Sequence, residues 1–179
     1  MRPAETLAQF DRFLADRGLR LDAVIVGGAA LNLLGVILRP TKDCDVLWPA
    51  LPPEIASAGR EFAREQRRRG ETLDDHWLND GPSSLTQDLP PGWRDRLQTA
   101  WVGAAIELRT LGRIDLLRSK LFALCDRALD LPDCLALAPT RGELEAILPW
   151  LEQRDGNPDW PTHVGAVLAD LAWRLGHGV

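Results

Sequence analysis

The sequence predicts an α+β fold followed by an all-helical region, and three observations carry that prediction. Ala23-Val24-Ile25-Val26 is a short apolar run that ends on Gly27-Gly28, the pattern of a buried strand turning into a helix. Asp43-Cys44-Asp45-Val46-Leu47-Trp48 alternates polar with apolar, as a strand with one wet face does. From Arg113 almost to the end, the apolar spacing is helical throughout.

In chain order, Thr6 with Gln9 has the form of a capping box. Leu7, Phe10, Phe13 and Leu14 then form one apolar stripe that Gly18 closes. After the 23–26 strand, residues 29–34 form a small helix closed by Gly35, and Arg39-Pro40-Thr41 makes a turn. Pro49, Pro52 and Pro53 end the second strand, and Glu54 to Arg69 is an arginine-rich helix. Residues 70–98 hold most of the turn formers and read as irregular, with Trp77 and Trp93 placed to line a cleft. Val102 to Thr110 is a further strand. Helices are predicted near 114–128, 131–138, 140–153 and 162–176, the third capped by Thr140 with Glu143.

Composition sets the outer bounds. A chain of 179 residues, 45% apolar, is long enough for one domain with a hydrophobic core and a helical annex. The net charge of -5 excludes a protein that coats duplex DNA through a broadly basic surface. No apolar run approaches the roughly 18 residues of a membrane span, and the N-terminus lacks a signal-peptide core. Cys44, Cys125 and Cys134 have no zinc-ligand spacing, so free thiols in a cytoplasmic, reducing setting are expected. Among 21 basic residues only Lys42 and Lys120 are lysines. A genome rich in G and C would give that bias; so would lysines whose chemistry arginine cannot replace.

The strand period of two puts Asp43 and Asp45 on one face, with Cα atoms roughly 6.5–7 Å apart. Two carboxylates so close repel unless a cation lies between them, and Mg²⁺ with substrate phosphates is the usual solution. A solvent-facing strand end carrying this pattern by chance is the alternative. Gly27-Gly28 adds a turn that permits close backbone approach and offers N–H groups to a phosphate. Fourteen residues separate it from Asp43. Glu107, between Ile106 and Leu108, could add a third acid, or be an ordinary exposed strand residue. Three acids with a phosphate-holding turn suit metal-assisted phosphoryl or nucleotidyl transfer, one acid also drawing the proton from the attacking hydroxyl.

Val26-Gly27-Gly28 followed by Asp43-Cys44-Asp45-Val46 resembles the DNA polymerase beta-type nucleotidyltransferase superfamily. Gly27-Gly28-Ala-Ala-Leu and Arg39-Pro-Thr41-Lys-Asp43-Cys-Asp45 are similar to its small bacterial members, among them the abortive-infection and toxin–antitoxin nucleotidyltransferases. Trp77-Leu-Asn79-Asp80-Gly81 and the stretch from Lys120 to Arg127, with Asp130 and Asp133 after it, are similar to segments of the same group. The resemblance, over roughly residues 20–135, implies a small mixed-sheet core with helices packed on it, expected over 1–112. The helical spacing adds a C-terminal helical region over 113–179, expected to pack on that core. The resemblance also implies that Gly27 and Gly28 hold the nucleotide triphosphate, that Lys120 reaches the phosphates with Asp130 near the site, and that Asp43 and Asp45 hold Mg²⁺. Asp43, Asp45 and Glu107 would then be catalytic. Arg39 and Thr41 precede the acid pair closely enough to touch a bound triphosphate, or serve only the chemistry of the turn. Lys120 read from spacing alone could equally snorkel at a helix surface.

The activity implied is transfer of NMP from an NTP to an RNA end such as tRNA, a protein or a small molecule, with an antitoxin as a cognate partner in the toxin–antitoxin version. The alternative is a binding or regulatory protein that keeps the fold without catalysis; a Glu107 directed away from Asp43 and Asp45 would favour it. Two weaker signals remain. Arg60, Arg64, Arg67 and Arg68 share one helix face, either as a polyanion site or as a solvated face partly neutralised by Glu61 and Glu65. His76 follows Asp74 and Asp75 as a ligand-like cluster, or is an inert loop residue.

Overall fold

The structure, a computed structural model, describes residues 1–177. The chain divides after Gly112 into two compact units. In the first, a five-stranded mixed sheet has the order β3-β2-β1-β5-β4, which bears out the α+β class. Its strands are β1 (Leu21–Val26), β2 (Cys44–Trp48), β3 (Leu78–Asn79), β4 (Gln98–Val102) and β5 (Ile106–Thr110). The helices are α1 (Pro3–Ala15), α2 (Gly27–Leu33) and α3 (Pro53–Arg68). Strand β1 runs antiparallel to β2 and parallel to β5, β2 runs parallel to β3, and β4 runs antiparallel to β5.

The predicted stripe of α1 forms the core, with Leu7, Phe10, Phe13 and Leu14 all buried. Phe10 meets Phe62 of α3 at 5.2 Å and the edge of Trp77 at 5.1 Å, between ring centroids. Such pairs add about 0.5–1.5 kcal/mol beyond area burial. Trp77 is a core residue, fully buried with its Nε1 donating to Gly59 O at 3.1 Å, and it also borders the cleft that Asp43 and His76 line. Trp93 is buried as well. Helix α1 begins at Pro3 and not at Thr6, and no side chain caps it. Proline suits the first turn because it has no N–H to satisfy. The amide of Thr6 already bonds Arg2 O at 3.0 Å, so Thr6 lies within the helix and cannot cap it.

The single strand expected over 102–110 is two strands joined at residues 103–105. Asp11, an acid on the buried side of α1, makes that turn. Its carboxylate accepts from the amides of Ala104, Ala105 and Ile106 at 3.0, 2.9 and 2.8 Å. Burial works to raise its pKa, yet these three donors outweigh it and hold the carboxyl below its ordinary value. A Cβ on Gly103 would stand 2.2 Å from Asp11 Oδ1, so only glycine fits there. The stretch expected to be irregular, 70–98, contains β3 and two short 3-10 turns at Gly81–Gln87 and Trp93–Arg96.

The second unit comprises α4 (Arg113–Arg127), α5 (Leu131–Leu137), α6 (Arg141–Glu152) and α7 (Trp160–Arg174). The capping box at its third helix forms as expected, with Glu143 N donating to Thr140 Oγ1 at 3.2 Å and Thr140 N to Glu143 Oε2 at 2.8 Å. All three cysteines are free and buried. Among the described residues no helix is long and apolar enough to cross a membrane.

Candidate active site

The register of the sheet brings the end of β1 to the start of β2, pairing Val26 with Asp45. Gly27 follows immediately with φ +75°, and a Cβ built on it would stand 2.7 Å from Asp45 Oδ2. The carboxylate thus rests on the backbone where α2 begins, an approach that only glycine permits. Gly28 leans on Thr41 in the same way, its would-be Cβ 3.0 Å from Thr41 Cγ2. Thr41 is buried, and its hydroxyl donates to Asp43 O at 3.2 Å. Arg39 is exposed, and its carbonyl accepts from Asn32 Nδ2 of α2 at 3.1 Å. Gly27, Gly28, Thr41, Asp43 and Asp45 therefore lie together, with Arg39 on the loop that leads to them.

Asp43 stands one residue before β2, so the expected strand begins at Cys44. Both acids are half-buried, while Cys44 between them is fully buried. Burial, and after it the charges of Asp45 and Asp43, push the Cys44 pKa far above the usual thiol range, so this sulfur stays protonated. Asp43 opens on a cleft of about 740 Å³ that Thr41, Lys42, Asp74, His76 and Asn79 also line.

The sequence motif Trp77-Leu-Asn-Asp-Gly81 supplies what spacing alone missed. Leu78 and Asn79 form β3, which pairs Asn79 with Asp45. Asn79 Nδ2 donates to Asp45 Oδ1 at 3.1 Å, while its Oδ1 accepts from Gly81 N at 3.0 Å. Asp80 Oδ2 receives the Leu51 amide at 3.0 Å, holding the segment after β2. The buried Trp77 anchors this motif, and the motif fixes the carboxylate of Asp45.

Glu107 is not brought to this cluster. It is exposed and pairs with Asp22 near the start of β1, four residues before Val26. That is about 13 Å along the strand at roughly 3.3 Å per residue. On the same face, Arg109 Nη2 donates to Asp22 Oδ1 at 3.0 Å. His76 is similarly uninvolved in a metal cage: its amide bonds Asp74 Oδ1 at 2.8 Å, and Asp75 pairs with Arg67 at 2.7 Å.

In the second unit, Lys120 is buried and held by carboxylates. Its Nζ donates to Asp133 Oδ2 at 2.7 Å and to Asp130 Oδ1 at 3.2 Å. It is neither a snorkelling surface lysine nor a free ammonium.

Among the described residues, no group of three or more His, Cys, Asp or Glu side chains could hold a metal ion. The donors at this site are a pair, which is what Mg²⁺ asks of a protein when substrate phosphates and water complete its octahedron.

Residues 5–136 match the family model described as nucleotidyltransferase of unknown function (DUF6036). The chain belongs to that family. The matched stretch runs from α1 through α5, so this nucleotidyltransferase carries the glycine turn, both acids, the Asn79 motif and Lys120 with its two partners inside the family region. No curated protein and no solved structure matches the chain.

Proposed function

We propose that this nucleotidyltransferase moves NMP from an NTP to a hydroxyl acceptor at the Asp43–Asp45 site, with Mg²⁺ as its metal. The observation that carries the reading is the seating of Asp45 directly on Gly27, which joins the acid pair to a turn whose backbone a triphosphate can approach. Asp43 and Asp45 would hold the ion, which when bound supplies the positive charge that a triphosphate undergoing substitution requires. The backbone of the Gly27-Gly28 turn, beside the carboxylate it seats, would hold the triphosphate. Arg39, carried by the loop beside that turn, is suited to bidentate phosphate contact. The acceptor oxygen forms a bond to the α-phosphorus as the bond to the bridging oxygen breaks. Pyrophosphate leaves, and the hydroxyl proton passes to a carboxylate of the acid pair.

The resemblance to the DNA polymerase beta-type superfamily supports this chemistry, and the likeness to toxin–antitoxin members suggests an antitoxin as partner. A neighbouring antitoxin-like gene would support that version. The non-catalytic alternative would draw on the remote Glu107, but the pair of acids and their glycine turn are intact without it. The test is incubation with each radiolabelled NTP and Mg²⁺, with total tRNA and with cell lysate. Label transfer that Asp43→Asn abolishes supports the reading. Transfer surviving in that variant, or absent for every nucleotide, overturns it.

A further inference from the structure

We propose that the outer face of α3 is a track for a single-stranded polynucleotide whose end enters the cleft at Asp43, so that the acceptor is a nucleic-acid end; this rests on the site reading above. Arg60, Arg64 and Arg68 stand at successive fourth positions of one helix, forming a single row about 6 Å apart along the axis. All three are exposed, and none takes part in an ion pair or hydrogen bond among the described residues. Elsewhere the chain's arginines are largely tied down, as Arg17, Arg67, Arg109, Arg113, Arg118 and Arg141 each hold a carboxylate. The row is therefore not explained by an arginine-rich composition alone.

The acids that would have neutralised it are engaged on another side. Glu61 and Glu65 both face Arg17 of the α1 end, at 3.0 and 3.6 Å, and Glu65 also meets Arg69 at 3.7 Å. The row also leads to the site. Arg67, in the same turn of α3, lines the cleft together with Asp43, and its pairing with Asp75 ties the helix to the 74–76 rim. The charge of Arg64 reaches that same Asp75, after the direct hydrogen bond of Arg67.

The shape of the patch selects the ligand. Guanidinium groups bind phosphate in a bidentate manner. One row of three fits one phosphodiester strand, whereas a duplex would need a broad basic surface that a chain of net charge -5 does not offer. No large exposed apolar side chain lies on α3, so the wedge that an anionic bilayer requires is missing.

Fluorescence anisotropy with labelled twelve-nucleotide RNA and DNA strands, without NTP, tests this. The Arg60→Ala/Arg64→Ala/Arg68→Ala variant should bind about tenfold more weakly at low salt, and its log–log salt slope should fall by about 2. Alanine at exposed helix positions preserves α3, which circular dichroism checks. Arg20→Ala, an exposed arginine outside α3, should leave binding unchanged. Wild-type binding to either strand supports the proposal, the tighter one naming the sugar. No binding to either strand, an unchanged triple variant, or preference for phosphatidylserine vesicles overturns it. Asp43→Asn should keep strand binding, so strand binding without any NMP transfer would sink the site reading, and the acceptor role with it, and leave only the arginine track standing.

Discussion

Asn79 Nδ2 donates to Asp45 Oδ1 while Asn79 Oδ1 takes the Gly81 amide, so one amide group ties a short edge strand to the carboxylate proposed to bind metal. Residues that orient a metal ligand cost 10–100-fold in affinity or activity when removed, and a single hydrogen bond contributes only about 1 kcal/mol to stability. Asn79→Ala should therefore raise the Mg²⁺ concentration needed for NMP transfer by about one to two orders of magnitude. Its hydrogen bonds to Asp45, Gly81 and the His76 carbonyl go as well, so the melting temperature should fall by only several degrees. A magnesium titration of labelled transfer beside a thermal melt reads both; an unmoved titration would remove Asn79 from the site.

Gly27→Ala and Gly28→Ala should separate sharply. The first puts a methyl group 2.7 Å from Asp45 Oδ2 at a φ of +75°, whereas the second meets a threonine methyl at 3.0 Å. Left-handed strain costs about 1–3 kcal/mol, so Gly27→Ala should lose both stability and transfer, and Gly28→Ala much less of either. Urea denaturation with a parallel transfer assay would show the difference.

Glu107→Gln should leave both transfer and stability near wild type, because Glu107 is exposed and lies at the far end of β1 from Val26. Surface changes of this kind stay within about 0.5 kcal/mol. A large loss of transfer in Glu107→Gln would return the third acid to the site.

Lys120→Met should act on stability first. Asp133 and Asp130 would be left without their ammonium, and breaking a buried pair from one side costs about 3–5 kcal/mol. A chemical melt should show this loss in the absence of nucleotide. If stability held and only NTP affinity fell, Lys120 would be a phosphate ligand after all.

Acid should loosen the start of α6 at a defined place. The hydrogen bonds from Arg113, at 2.7 and 3.0 Å, lower the Glu143 pKa from 4.5 to about 2. A depressed folded value contributes stability that is fully present above 4.5 and is lost as the pH falls towards about 2. Unfolding followed between pH 5 and 2 should show a steeper decline in wild type than in Glu143→Gln.

Local periodicity made the stripe of α1, the strands that frame Gly27, and every helix after Arg113 legible, because each depends on side chains a turn or a step apart. The acid pair was legible for the same reason. What failed depended on partners remote in sequence. Thr6 and Gln9 fit a capping pattern, but Pro3 had already opened the helix. Residues 102–110 look like one strand until Asp11 is known to bend them. Glu107 has the right local pattern for a site acid, yet its position is set by pairing with β1. Asn79 stands out only as part of a family-like motif, its role hidden until β3 lies beside Asp45, and Lys120 shows its buried partners only once α4 and α5 pack together.

The three amides that Asp11 receives lie 93 to 95 residues further along the chain. During synthesis, α1 emerges early but its acid stays unsatisfied until Ile106 has been made. Strand β1 waits equally long for β5, although β2 and the acid pair are already present. The nascent site is thus complete in sequence well before it is rigid, and the last strand of the unit acts as its closing latch.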